Sequence, residues 1–75
     1  MKNKIPQFVI CINNKDYPVS LIIRKLYEVL PDPIATKLGQ LRIIDESGED
    51  YLYPVQRFMV IDLPKEVEQC LLQVA

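Results

Sequence analysis

The sequence predicts a mostly-β domain: about five short strands in a small twisted barrel or half-open sheet, with one α-helix at the C-terminal end. Three observations lead there. Short apolar runs rich in β-branched residues recur along the chain, separated by clusters of Asn, Asp, Gly and Pro. The last run, Phe58 to Leu63, is apolar on both faces apart from Asp62, and a strand of that kind needs cover on both sides. Directly after it, Pro64 opens a segment in which Val67, Cys70, Leu71 and Val74 fall at i, i+3, i+4 and i+7, one apolar helical stripe. The 75 residues allow a single domain over 1–75, with a tail at 1–6, the β region at 7–63 and the helix at 64–74.

Each element has its own local reason. Phe8 to Ile12 is an unbroken apolar run and reads as a strand. Asn13-Asn14-Lys15-Asp16 is a turn, because Asn and Asp tolerate left-handed backbone and form local side-chain turns. Tyr17 to Ile23 contains Pro18, which cannot donate to a ladder, so an irregular return strand at an edge is expected. Arg24 to Leu30 is the next strand, closed by Pro31-Asp32-Pro33. Ile34 to Leu38 suits one helical turn, with Gly39 as its left-handed exit. Leu41 to Ile44 and Tyr51 to Tyr53 flank a polar hairpin tip, Asp45 to Asp50, in which Gly48 supplies the positive φ. Pro64 is tolerated at a helix start, where its missing N–H would have no partner anyway. Glu66, Glu68, Gln69 and Gln73 take the wet side of that helix.

Composition narrows the chemistry. Hydrophobic residues make up 49% and charged residues 25%, an ordinary globular balance, and the net charge is −1. No overall field draws the chain to nucleic acid or to anionic lipid. Histidine is absent, which removes the usual neutral-pH base and the commonest metal ligand, and with them Ser-His and Cys-His nucleophile pairs. No cofactor, metal or enzymatic role is expected. Lys2 and Lys4 run into Pro6 without the form of a secretory leader, and no apolar stretch approaches the ~18 residues of a membrane span. The expectation is a cytoplasmic protein with reduced thiols and no membrane partner.

Four groups of residues invite a functional reading. Asp45, Glu46, Glu49 and Asp50 could gather a hard cation, but their spacing is not that of a calcium loop, and a solvated hairpin tip is the preferred reading. Cys11 and Cys70 could be redox-active, yet each has apolar neighbours, and both read as small core hydrophobes. Arg24, Lys25, Lys37, Arg42 and Arg57, with Tyr17 or Tyr27, could bind single-stranded nucleic acid over a charged groove. Ten acidic residues dilute any such field, so nucleic acid is the alternative rather than the leading reading. Tyr51 and Tyr53 share one strand face, expected to turn inward and leave Leu52 outward.

The run Gly48-Glu49-Asp50-Tyr51-Leu52-Tyr53-Pro54-Val55-Gln56-Arg57-Phe58-Met59-Val60 resembles the end of an SH3 domain. In that family a glycine-bearing hairpin leads to a strand ending in proline, one 3₁₀ turn and a short last strand. Tyr53-Pro54 stands for the strand end and Val55-Gln56-Arg57 for the turn. Lys25 to Asp32 together with Asp45 to Pro54 also looks like a set of small bacterial proteins with SH3-like barrels and no assigned function. The resemblance covers about residues 24–62 and implies an SH3-like barrel. It does not carry over the family's grip on proline-rich peptides: the ligand-face tryptophan is absent, Arg57 replaces the tyrosine that ends the 3₁₀ turn, and only Pro54 of that face remains. The expected function is non-catalytic binding of another protein, with self-association into a weak homodimer also admitted. Leu52, Pro54 and Arg57 lie where SH3-like relatives would place a ligand groove, joined by Tyr17 and Ile22 from the return strand.

Overall fold

A computed structural model describes residues 8–73; the expected tail at 1–6 and Val74 lie outside them. Five strands form one antiparallel sheet: β1 Phe8–Cys11, β2 Leu26–Leu30, β3 Gln40–Ile44, β4 Asp50–Pro54 and β5 Phe58–Ile61. Two α-helices, α1 Pro33–Lys37 and α2 Lys65–Gln73, and a 3₁₀ turn over Val55–Arg57 complete the chain. The strand order is β4-β3-β2-β1-β5. The mostly-β architecture with a C-terminal helix is therefore as expected, but the sheet is not closed into a barrel, because β4 and β5 are its two unpaired edges. The 3₁₀ turn carries the chain from one edge to the other.

Alternation explains the core. In β2, Tyr27 and Val29 are buried and their neighbours half-buried; in β3, Leu41 and Ile43 do the same. One cluster gathers Val9 and Cys11 of β1, those four residues, Tyr53 of β4, Phe58 of β5 and Leu21 from the β1–β2 connection. Side chains from all five strands meet there, so the sheet curls around its own inner face. Leu21 is fully buried and supplies the part of the core that no strand provides.

The β1–β2 connection departs from the expected return strand. Residues 12–25 form turns and no strand. The Tyr17 N–H donates to the Asn14 carbonyl (2.8 Å) and the Leu21 N–H to the Tyr17 carbonyl (3.0 Å). These local bonds use backbone groups that a ladder would need, and Pro18 has none to give. Asp16 and Arg24 sit at φ 76° and 69°, turning the chain out of β1 and back into β2.

Local chemistry sets the remaining boundaries. The Asp32 carboxylate accepts the Ala35 N–H (3.0 Å) and caps α1, with Pro33 in its first turn. Gly39, at φ 75°, lets the chain leave that helix. The Asp45 carboxylate accepts the Ser47 N–H (2.9 Å) and shapes the β3–β4 hairpin, with Gly48 at φ 86°.

Helix α2 forms where its periodicity places it, but its apolar stripe is not buried. Val67 is 42% exposed, Leu71 38% and Leu72 44%, and Cys70 is exposed rather than a core residue. Met59 and Val60 of β5 are likewise 60% and 64% exposed, although the two-faced strand was expected to be covered. The physical reason is that the buried cluster draws on all five strands and Leu21 and takes no residue from α2. Cys11, by contrast, is buried as expected. Thiol titration of the native protein should therefore label Cys70 quickly and Cys11 only after unfolding. Slow labelling of both would mean that α2 is covered in solution.

Candidate binding surface

Of the five residues proposed to bind a partner, Tyr17 and Arg57 are in contact. The Arg57 guanidinium lies 5.7 Å from the centre of the Tyr17 ring. Its Nη2 reaches an Asp16 carboxylate oxygen at 3.4 Å. Tyr17 also stands edge-on to Tyr53, with ring centres 4.9 Å apart and planes at 85°. The backbone fixes the arrangement: the Arg57 carbonyl accepts the N–H groups of Ile12 (2.9 Å) and Asn13 (3.3 Å), which ties the 3₁₀ turn to the start of the β1–β2 connection.

Pro54 joins this group through the chain. It ends β4, opposite Gln40, and immediately precedes the 3₁₀ turn. The turn is held on its other side by the Val55 N–H, which donates to the Gly39 carbonyl (3.0 Å). Val55 itself is 38% exposed beside Pro54.

Leu52 and Ile22 stand apart. Leu52 faces away from buried Tyr53 by strand alternation, half-exposed and opposite Arg42. Tyr51 shares the inward face of Tyr53 but is exposed near the strand end, where its hydroxyl bonds Glu49 (3.2 Å). Ile22 belongs to a second cluster: its N–H donates to the Tyr27 hydroxyl (2.8 Å), which in turn bonds Glu46 (2.6 Å).

The hairpin tip is solvated as expected at Glu46, Glu49 and Asp50, whereas Asp45 is buried, and each carboxylate has its own partner. Glu46 pairs with Lys25 at 2.6 Å, and this bond, with that from Tyr27, holds its pKa below the usual value. Burial pushes the Tyr27 phenol up, and the Glu46 carboxylate adds to the effect. Asp45 is buried beneath the hairpin, accepting from the hydroxyls of Ser47 (2.6 Å) and Tyr53 (2.6 Å). Burial opposes its ionisation, but these bonds outweigh that and keep its pKa low. Tyr53 also bonds Ser20 (2.8 Å), so the hairpin is fastened to the β1–β2 connection. Asp50 meets Arg42 at 2.8 Å, and Arg42 meets Asp32 at 2.9 Å. The cations expected to converge are thus divided: Lys25, Arg42 and Arg57 each face a carboxylate. No protein-family model, curated protein or solved structure matches the chain.

Sequence reasoning did not find Asp16, whose partner lies 41 positions away, nor the Ser20–Tyr53–Asp45 network. A buried carboxylate beside a hydroxyl-rich loop leaves no periodic trace. The one available signal was Asp45-Glu46-Ser47-Gly48, a sequence suited to a side-chain turn. Among the described residues, no helix is long and apolar enough to cross a membrane.

Proposed function

We propose that the protein is an SH3-like, non-catalytic module that binds another protein in the cytoplasm through the surface around Tyr17, Pro54 and Arg57. The carrying observation is the state of Arg57. Its guanidinium is held over an aromatic ring and steadied by one carboxylate, yet among the described residues Asp16 alone accepts from it. Its Nε is buried without a partner. Its terminal nitrogens, held in place and bonded to Asp16 alone at 3.4 Å, suit a carboxylate or carbonyl on an incoming chain. Pro54 and Val55 offer an apolar rim beside it, and arginine is enriched among residues that dominate interfaces.

Two further points support the reading. A strand ending at Pro54, a 3₁₀ turn over Val55–Arg57 and a short last strand follow one another as in the SH3-like pattern. The carboxylates of the hairpin are each hydrogen-bonded to a hydroxyl or paired with a cation, which occupies them within the fold.

The test is affinity capture from the source cell with immobilised protein, read by mass spectrometry. Wild type and a Glu68→Lys control should retain a common partner that Arg57→Glu loses at least tenfold, all three giving the same far-UV circular dichroism. Equal capture by Arg57→Glu would overturn the placement. Micromolar binding to a single-stranded RNA or DNA oligonucleotide at physiological salt would overturn the protein-partner reading itself.

A further inference from the structure

The two edges of the sheet differ in how they are defended. Edge strand β4 carries Asp50 at one end and Pro54, with no N–H, at the other. Edge strand β5 reads Phe-Met-Val-Ile, with no charge and no proline, and Met59 and Val60 are more than half exposed.

The directions of the β5 backbone groups follow from the ladder. Cys11 spends its backbone on the β2 side, donating to the Lys25 carbonyl (3.0 Å) and accepting the Arg24 N–H (2.7 Å). In an antiparallel ladder bonding alternates, so Ile10 and Ile12 bond toward β5, and the Ile12 N–H does donate to Arg57. Their opposite numbers, Met59 and Arg57, use their groups on β1. Phe58 and Val60 therefore direct theirs away from the sheet. The Phe58 N–H is already taken, donating to the Val55 carbonyl. Left pointing outward are the Phe58 carbonyl, both Val60 groups and, by the same alternation, the Asp62 N–H.

We infer that β5 is the site where a second copy of this chain adds, β5 antiparallel to β5, making one continuous sheet across a two-fold axis. A two-fold perpendicular to the sheet keeps each side chain on its own face, so only registers centred on a residue are allowed. Centring on Met59 sets Phe58 against Val60 and requires the Phe58 N–H, which the 3₁₀ turn has consumed. Centring on Val60 matches the free groups. The two Val60 residues exchange both bonds, and each Asp62 N–H meets a Phe58 carbonyl of the other copy. Met59 then faces Ile61, a cross-strand apolar pair.

Charge favours the same occupant. Self-pairing of β5 brings no like charges opposite one another, and a net charge of −1 opposes association of two copies very little. Self-pairing of β4 would set acidic ends and prolines against the ladder. With four-residue strands the contact is small and belongs to the transient class.

Sedimentation of the purified protein between micromolar and millimolar concentration tests the inference. The mean mass should rise from 8.7 kDa toward twice that, and the Val60 amide should gain exchange protection as concentration rises. Val60→Lys should weaken association at least tenfold, and Val60→Pro, which removes the outward N–H, should abolish it. Unchanged circular dichroism of Val60→Lys keeps the result interpretable whether or not the proline variant folds. A wild-type protein that stays monomeric at millimolar concentration would overturn the inference. So would a dimer indifferent to Val60→Lys, which would move the contact to another surface such as α2.

Discussion

Ile43→Ala should lower unfolding stability by about 2–5 kcal/mol, the range for emptying a packed aliphatic site. Ile43 is fully buried on β3, beside β2 on one side and β4 on the other. Its neighbours in the cluster come from every strand and from the β1–β2 connection, so none can collapse into the space without disturbing another element. A domain of this size has roughly 4–11 kcal/mol in total, so the loss would take a large share of it. Urea unfolding with an unchanged slope would report it. Val19→Ala is the comparison: at 89% exposure it should change stability by less than about 0.5 kcal/mol. If the two variants behave alike, the core is not where the structure puts it.

The second large effect concerns Asp45. Asp45→Ala should lower stability by about 1–3 kcal/mol, because the buried Tyr53 hydroxyl loses its charged partner, keeping only Ser20, and the hairpin loses its side-chain turn. The charge can be separated from the geometry by pH. An aspartate held below its ordinary pKa of 3.8 adds stability that is complete above that value and fades as pH falls through the lower, folded one. Asp32 and Glu46 are lowered as well and act in the same direction. Wild type should therefore lose stability in acid, and Asp45→Asn should fall less steeply while starting lower. Coincident acid slopes for the two proteins would show that the folded state does not hold Asp45 ionised.

These two sites mark the limits of what the sequence made legible. Ile43 was visible: Leu41 to Ile44 alternates, and the buried positions of β2 and β3 follow from period two. The hairpin with Gly48, the helical turn before Gly39 and the start of α2 were legible for similar local reasons. Burial of α2 was not. A helical stripe records which face could be covered, whereas coverage depends on what the rest of the chain packs against it, and the core here is filled by the strands and by Leu21 from an irregular segment. The same limit applies to Asp45. Its role depends on Tyr53, eight positions away, and on Ser20, 25 positions away, meeting at one point. Arg57 and Tyr17 were expected on one surface, Arg57 from its place in the SH3-like pattern and Tyr17 from the return strand. Their stacking depends on the Arg57 carbonyl binding Ile12 and Asn13, a long-range backbone bond with no sequence pattern.

The strand order also dictates a sequence of events during folding. β2, β3 and β4 are consecutive in the chain and in the sheet, so their pairings close short loops and carry little entropic penalty. β1 and β5 pair at the far end, where Cys11 meets Phe58, 47 positions later. That closure is the one non-sequential pairing in the sheet, added to the meander of β1 to β4. During synthesis the side of β1 that receives β5 has no intramolecular partner until residues 58–61 have left the ribosome. A nascent chain halted before that point presents β1, rather than β5, as an exposed and adhesive strand.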